Sequence, residues 1–231
     1  MDDLPPFPGF RPEAFQFLRD LKENNEREWF KARKATFDDE LLWPLRCLIA
    51  DAGRVAPGAG LPIKGDPSKS VFRIYRDIRF SKNKDPYKTH LGAVLSRSGS
   101  RKAAGGLYLQ VEPGSCFLCA GFWQPDKTLL GALRERIVAQ PDQFRDVLGS
   151  LGGRELMEYF GKLKRTPRGF EHAQDPEVAD FIKHKSFMVE TRFKDEAMAD
   201  SAFTETLIEA AQAMKALLQW GWEVEDEMAA A

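Results

Sequence analysis

The stretch from Phe72 to Leu95 reads FRIYRDIRFSKNKDPYKTHLGAVL and carries the most distinctive pattern in the sequence. Apolar and polar side chains alternate from Phe72 to Phe80, which predicts a β-strand with one apolar face. The next residues, Ser81 to Pro86, are polar and rich in turn formers, and the alternation resumes at Leu91–Leu95. This order predicts two strands joined as a β-hairpin with a cationic tip.

The same stretch is strongly basic in a chain whose formal net charge is −1. Six cations stand against two acids, Asp77 and Asp85, so residues 71–90 carry a net charge of +4. The cations are Arg73, Arg76, Arg79, Lys82, Lys84 and Lys88. Exposed ion pairs on strands are common and weak, so the charge count alone also fits an ordinary solvated strand face.

Arg76 is the unusual member, because it falls in the middle of the apolar face. An unpaired cation is costly on a buried face, which leaves three explanations: an ion pair with a distant carboxylate, a β-bulge near Arg76 and Asp77, or a ligand cleft in place of a core. On the opposite face Asp77 is close in sequence to Arg73 and Arg79, and we expect it to orient both guanidinium groups. Arginines held in this way suit planar oxyanions.

Three motifs in this chain resemble those of a single family. The basic stretch contains Arg73-x-x-Arg76-Asp77-x-Arg79-Phe80, followed by Asn83-Lys84-x-x-Tyr87. The other two motifs are Asn24-Asn25-x-x-x-Trp29-Phe30 and Lys183-His184-Lys185-Ser186-Phe187. Together they resemble an uncharacterised bacterial family, domain of unknown function 2461, over nearly the whole chain. The resemblance implies that these positions matter, and it implies no particular activity.

The rest of the sequence predicts helices around a cluster of strands. Further strands are predicted at 107–111, 116–123 and 186–193. We therefore predict an α+β fold with a mostly antiparallel sheet of about five strands covered by helices. The late strand would join the C-terminal half to the same sheet, which favours a single domain over residues 1–231. Its parts are a helical N-terminal part at 10–55, a sheet at 71–124 plus 186–193, and a helical C-terminal part at 126–222.

Three residues mark where helices begin or break. Asp126 and Asp175 precede helical patterns and are expected to cap them. Pro44 falls inside a helical pattern and is expected to kink or split it, because proline lacks the backbone donor and clashes with the preceding turn.

Composition argues against several classes of protein. The near balance of 34 basic and 35 acidic residues is not that of a globally basic nucleic-acid-binding protein. Three cysteines are too few for a disulfide framework and fit a reducing compartment. Residues 1–10 lack the features of a signal peptide, and no run of about 18 apolar residues predicts a membrane span. We expect a cytoplasmic protein that does not associate with a membrane.

No metal site and no cofactor are expected from the sequence. Cys116 and Cys119 would lie on opposite faces of a strand, which favours two buried thiols over a zinc or redox pair. The histidines, His90, His172 and His184, lack metal-ligand spacing. The chain also lacks a nucleophile elbow and a dinucleotide-binding fingerprint.

The favoured hypothesis is recognition of an anionic ligand that carries phosphate or carboxylate groups. The expected partner is a phosphorylated small molecule or a nucleic-acid end, and the sequence does not specify protein partners. In this hypothesis the arginines and Lys84 bind the anion, Asp77 orients the arginines, and Tyr87 supplies a hydroxyl or a stacking face. The predicted ligand-binding residues are Arg73, Arg76, Asp77, Arg79, Lys84 and Tyr87.

Two alternatives remain open from the sequence. One is a metal-independent phosphotransfer or phosphodiester-cleaving enzyme, in which Tyr87 or His90 handles protons and the cations stabilise charge at phosphorus. That alternative requires Tyr87 and His90 to share a concave site with the arginines. The other is a buried salt-bridge network that only specifies the fold.

Overall fold

Consecutive strands in the middle of the chain form an antiparallel sheet, which a fourth strand from late in the sequence extends. The computed structural model describes residues 4–159 and 161–230, so Met1–Asp3, Phe160 and Ala231 lie outside the described residues. The strands are β1 (Leu91–Leu95), β2 (Gly105–Val111), β3 (Cys116–Phe122) and β4 (Phe187–Phe193), hydrogen-bonded in that order. The predicted α+β fold is confirmed, with four strands among the described residues in place of about five.

The helices lie on both sides of these strands in the sequence. They are α1 (Pro12–Glu23), α2 (Arg27–Ala32), α3 (Lys34–Phe37), α4 (Trp43–Val55), α5 (Lys127–Ala139), α6 (Pro141–Gly149), α7 (Pro176–Phe181), α8 (Asp195–Met198), α9 (Phe203–Ala213) and α10 (Lys215–Ala230). The helical C-terminal part thus continues past residue 222, where the sequence predicted its end, because Trp222 and Val224 are buried and hold the extra turns in place.

Of the three predicted helix markers, the two capping residues are confirmed. The side chains of Asp126 and Asp175 each accept hydrogen bonds from two backbone N–H groups at the starts of α5 and α7. Pro44 lies in the first turn of α4, directly after a π-helical turn, Asp38–Leu42. The backbone stays helical through Leu42 and Trp43, so the helix changes its hydrogen-bond pattern ahead of Pro44 and is not interrupted.

The prediction of a strand from Phe72 to Phe80 is wrong. Antiparallel pairing occurs only as isolated bridges, Val71 with Ala93 and Tyr75 with Tyr87. A bulge near Arg76 and Asp77 was one of the three explanations left open for Arg76. The extra residues lie instead on the opposing segment, where the chain advances four residues from Lys88 to Gly92 while its partner advances two, from Ile74 to Phe72. After Arg76 the pairing ends.

Local side-chain bonds explain why the chain leaves the sheet after Arg76. The backbone N–H of Arg79 donates to Asp77 Oδ1 (3.3 Å), and Lys84 Nζ donates to the carbonyl oxygen of Ile78 (2.9 Å). Such bonds offer the backbone an alternative to a strand ladder. Phe80, predicted on the apolar face, is 94% exposed as a result.

The chain forms two compact units. The first comprises residues 1–101, 108–118 and 192–210, and the second comprises residues 102–107, 119–191 and 211–231. The single domain expected from the sequence stays a prediction. Among the described residues, none of the helices has the length and apolar character needed to cross a membrane.

Each unit has its own aromatic core. In the first unit Phe17, Phe30 and Phe37 pack with ring centroids 5.2–6.1 Å apart. In the second unit Phe144 packs against Phe187 and Trp220, at 6.0 and 4.7 Å. The cysteines Cys47, Cys116 and Cys119 are all buried and free, so the predicted buried thiols are confirmed.

Candidate ligand-binding site

A cleft of about 580 Å³ opens in the first unit between the α2–α3 segment and the irregular stretch at residues 75–87. It lies beside the basic motif that the sequence singled out. The residues that line it are Arg27, Glu28, Phe30, Lys31, Lys34, Tyr75, Arg76, Ile78, Pro86 and Tyr87. Four of them are basic and one is acidic, so the lining favours a negatively charged occupant.

The helical wall supplies three cations at positions 27, 31 and 34. Arg27 and Lys31 lie one turn apart on α2, and Lys34 begins α3 after the break at Arg33. Lys34 pairs with Asp38 one turn later. Within residues 4–159 and 161–230, Arg27 and Lys31 have no hydrogen bond or ion pair through their side chains. Their charges are therefore available to an occupant of the cleft.

The opposite wall places Arg76 and Tyr75 by backbone pairing. The N–H of Arg76 donates to the carbonyl oxygen of Pro86 (2.9 Å), and Tyr75 bridges to Tyr87. The nearest acid to Arg76 is Asp85, whose Oδ2 lies 3.9 Å from Arg76 Nη1. This is too long for a hydrogen bond, so most of the donor capacity of Arg76 is not used by Asp85.

Asn25 fixes Tyr87 in the floor of the cleft. Its Oδ1 accepts from the backbone N–H of Tyr87 (3.0 Å), and its Nδ2 donates to the carbonyl oxygen of Tyr87 (3.1 Å). The Tyr87 ring is 4% exposed and stacks on Phe30 with centroids 4.2 Å apart. Two of the family-like motifs therefore meet here, and the asparagine of the first holds the tyrosine of the second.

The hydroxyl of Tyr87 is kept protonated. Burial raises the pKa of Tyr87, and Tyr75 and Glu28 raise it further, while Arg27 acts in the opposite direction. At neutral pH the phenol is a neutral hydrogen-bonding group, and it is a poor general base.

Four predicted ligand-binding residues do not line the cleft. Asp77 and Arg79 form a two-point pair, with Nε–Oδ1 at 2.9 Å and Nη2–Oδ2 at 2.7 Å. This pairing lowers the pKa of Asp77 to about 2. Lys84 donates to the backbone at Ile78. Among the described residues Arg73 makes no hydrogen bond or ion pair with Asp77, although its charge also contributes to the lowered pKa of Asp77.

Arg73 belongs to a different group of cations around Phe72. Lys88 Nζ and the Arg101 guanidinium lie 5.3 and 5.4 Å from the centre of the Phe72 ring. Lys88 also donates to the carbonyl oxygen of Arg73 (3.1 Å), and Arg101 donates to that of Val71 (2.6 Å). Burial, with Arg73 and Arg101 nearby, lowers the pKa of Lys88.

His90 lies in the bulge and not in the lining of the cleft. Burial lowers its pKa to about 4, and the charges of Lys88 and Arg76 contribute. His90 is therefore neutral at pH 7. Of the two candidate catalytic residues, only Tyr87 shares the concave site with Arg76.

The third motif, Lys183 to Phe187, lies in the second unit and is largely buried. The carbonyl oxygen of His184 accepts from Arg134 Nη2 (3.0 Å), and Ser186 Oγ accepts from the N–H of Gln124 (2.9 Å). Gln124 has a φ of +43°, a strained value for a residue other than glycine, and the hydrogen bond that its N–H donates to Ser186 supports it. These contacts give the motif a role in its own unit's packing.

The cations of the helical wall were not predicted from the sequence to be part of the site. The sequence shows a helical spacing for Arg27 and Lys31, which are four residues apart, whereas Lys34 belongs to the next helix. Their position opposite Arg76 depends on the contact between Asn25 and Tyr87, residues 62 apart in the chain. Among the described residues, no group of three or more His, Cys, Asp or Glu side chains is arranged to hold a metal ion.

Fold and cleft together define an α+β protein with a small, cation-lined, partly aromatic cleft. Residues 13–220 match the model of the family described as conserved hypothetical protein (DUF2461), and the chain belongs to that family. Searches of curated proteins and of solved structures found no match to the chain.

Proposed function

We propose that this protein binds an anionic ligand, bearing phosphate or carboxylate groups, in the cleft between α2–α3 and residues 75–87. The observation that carries the proposal is the meeting of Arg27, Lys31 and Arg76 around one open space with few acids of the protein's own. Ligand sites are concave and contain a few convergent polar groups in a largely apolar wall. The cleft is concave and has an apolar part that includes Phe30, Ile78 and Tyr87, but half of its ten lining residues are charged, which suits an anion better than an apolar ligand.

Each cation has a distinct task in this proposal. Arg76 presents a planar guanidinium that can make two parallel hydrogen bonds to one oxyanion. Lys31 and Arg27 act as charges from the opposite wall, and Glu28 limits the net charge of the site. The site differs from the one expected from the sequence, because Arg79 and Lys84 are replaced by cations of the helical segment.

An enzyme that uses the same motif is less well supported. The alternative required Tyr87 and His90 to act on one phosphate beside the arginines. His90 does not line the cleft, and the raised pKa of Tyr87 disfavours proton abstraction at neutral pH. Ligand binding without chemistry therefore accounts for more of the arrangement.

The test is calorimetric titration with inorganic phosphate, pyrophosphate and citrate at low salt. We expect at least one of these anions to bind the native protein and to raise its Tm. Arg76→Gln should weaken that binding roughly 10- to 100-fold, the effect of losing a hydrogen bond of about 1.5–3 kcal/mol to a charged group. Binding should also weaken as salt is added, because the cations are exposed.

Arg79→Gln is the matched control. Arg79 belongs to the same motif and carries the same charge, but its guanidinium is held by Asp77 outside the cleft. We expect this variant to bind like the native protein. Equal losses in both variants would indicate a general charge effect, and an absence of anion binding in the native protein would refute the proposal.

A further inference from the structure

The aromatic part of the cleft contains one ring that the fold holds in place and yet leaves uncovered. Tyr75 is 49% exposed, and it lines the cleft directly beside Arg76 in the sequence. Tyr87, in contrast, is almost completely buried under its neighbours. Single exposed aromatic residues are common on protein surfaces, but this ring lies in the wall of the cleft and offers a flat face that the anion site does not use.

Contacts on one side fix the orientation of the Tyr75 ring. It lies 5.4 Å from the ring of Tyr87 and 6.4 Å from that of Phe30, the latter with an edge-on geometry. The bridge between Tyr75 and Tyr87 fixes the backbone as well. A ring held in this way loses little conformational entropy when a flat group packs on it.

The size of the cleft and its polar groups indicate what the flat group is attached to. A volume of about 580 Å³ exceeds what a single oxyanion needs and falls within the range of sites for small organic ligands. The cations favour phosphate at one part of the ligand. Glu28, the acid of the lining, can accept hydrogen bonds from hydroxyl or amino groups at another part.

We infer that the ligand is a nucleoside phosphate, either free or at the end of a nucleic-acid strand. This inference rests on the proposed anion site and adds the base and sugar to it. The base stacks on Tyr75, the phosphate binds Arg76 and Lys31, and Glu28 accepts from the sugar hydroxyls or the base. Stacking of bases on aromatic side chains is tolerant of base identity, because every base has a π-face.

The test compares ligands that share only part of this chemistry. The full-length protein is titrated with inorganic phosphate, the four common nucleoside 5′-monophosphates, and a short 5′-phosphorylated oligonucleotide. We expect at least one nucleotide to bind about tenfold or more tightly than phosphate, the effect of one stacked base. Saturation-transfer NMR should show the strongest contact at the protons of the base.

Substitutions at Tyr75 separate stacking from anion binding. Tyr75→Leu should weaken nucleotide binding about tenfold and leave phosphate binding unchanged, while Tyr75→Phe keeps the ring and should bind like the native protein. Arg76→Gln should weaken both ligands. The ring is half exposed, so both Tyr75 variants are expected to fold, and the comparison of nucleotide with phosphate in the native protein does not depend on them.

The outcomes distinguish this inference from the proposed function. If phosphate binds and every nucleotide binds no more tightly, the nucleotide inference is overturned while the anion site stands. If neither binds, both fail. Tighter binding of the oligonucleotide than of the mononucleotides supports the inference with a strand end as the ligand, and the reverse supports it with a free nucleotide.

Discussion

Each compact unit contains a group of basic side chains, and the two groups differ in whether those side chains already have partners in the protein. In the cleft, Arg27 and Lys31 have no partner among the described residues and Arg76 has only a long contact with Asp85. In the cluster around His184, Lys162 Nζ is bonded to Glu158 (2.6 Å) and Asp180 (2.8 Å). Arg134 is buried there and donates from Nη2 to a backbone carbonyl oxygen, although its Nε has no hydrogen-bond partner among the described residues. The two groups of cations therefore differ in how far the protein's own acids have already paired them.

The comparison shows what distinguishes a candidate site from a structural motif. Cations that the protein's own acids and carbonyl oxygens already satisfy contribute to the fold, and an external anion would have to displace those partners. Cations that face open space cost little when exposed and become useful only with a ligand. Four predictions test this division, from the largest expected effect to the smallest.

The largest effect is expected at the phenylalanines of the two motifs. Phe187 is fully buried against Phe144 and Trp220, whereas Phe80 is 94% exposed. Phe187→Ala should lower the free energy of unfolding by about 3–5 kcal/mol, because it removes a core side chain and leaves a cavity. Phe80→Ala, the matched control, should change it by no more than about 0.5 kcal/mol. Urea unfolding measures both, and similar losses would contradict the division.

The next largest effect is the pH dependence of the free energy of unfolding, to which a histidine in each of the two regions should contribute alike. His90 and His184 both have a pKa of about 4 in the folded protein, with burial as the main cause, against 6.5 for an ordinary histidine. Since the unfolded chain binds more protons between these values, stability is full above about pH 6.5 and falls as the pH drops toward 4. Each histidine should contribute a loss on the order of 2–3 kcal/mol.

His184→Gln and His90→Gln should each flatten the stability profile in that window. The difference between variant and native curves isolates the histidine from the titration of carboxylates. NMR titration can also distinguish the two regions. Arg76 helps to lower the pKa of His90 but not that of His184, so phosphate in the cleft should raise the pKa of His90 alone. Equal shifts at both histidines would argue against binding at the cleft.

A smaller effect is expected where the two motifs of the first unit meet. Asn25→Ala leaves the backbone N–H and C=O of Tyr87 without their partners, at a residue that is almost fully buried. The expected cost is about 1–3 kcal/mol, with weaker binding of phosphate because Tyr87 and the adjacent wall lose their support. Asn24→Ala should cost at most about 1 kcal/mol, since the Asn24 side chain donates to Asp20 on an exposed helix end. A larger loss of stability for Asn24→Ala than for Asn25→Ala would show that Asn25 does not hold the cleft.

Local patterns explain which parts of this structure could be predicted from the sequence. Leu91–Leu95 and the strands at 107–111 and 186–193 were predicted from alternation within each segment, and the strand that begins at Cys116 was predicted from its place after the Pro113-Gly114 turn. The pair of Asp77 with Arg79 was predicted for the same reason, since the two residues are neighbours. The stretch from Phe72 to Phe80 also alternates, but its side-chain bonds to the backbone replace the ladder that the alternation predicted.

The cleft could be predicted only in part, because half of it comes from a distant segment. Arg76 was identified as a cation on an apolar face, and Tyr87 as its companion in the motif. The opposing wall depends on the packing of Phe30 against Tyr87 and on the bonds of Asn25. A contact between residues about sixty positions apart is not specified by periodicity or capping, so the helical cations were missed.

The smallest effect is expected for the free energy of unfolding of Arg76→Gln. The ion pair of Arg76 with Asp85 is 3.9 Å long, and both side chains are partly exposed, so its loss should cost less than about 1 kcal/mol. A double-mutant cycle with Asp85→Asn should give a coupling energy near zero. A structural salt-bridge network would instead lose about 3–5 kcal/mol when one partner is removed. A loss of that size would move Arg76 to the same class as Lys162, as a cation that the fold uses, and would leave the cleft without its central anion-binding group.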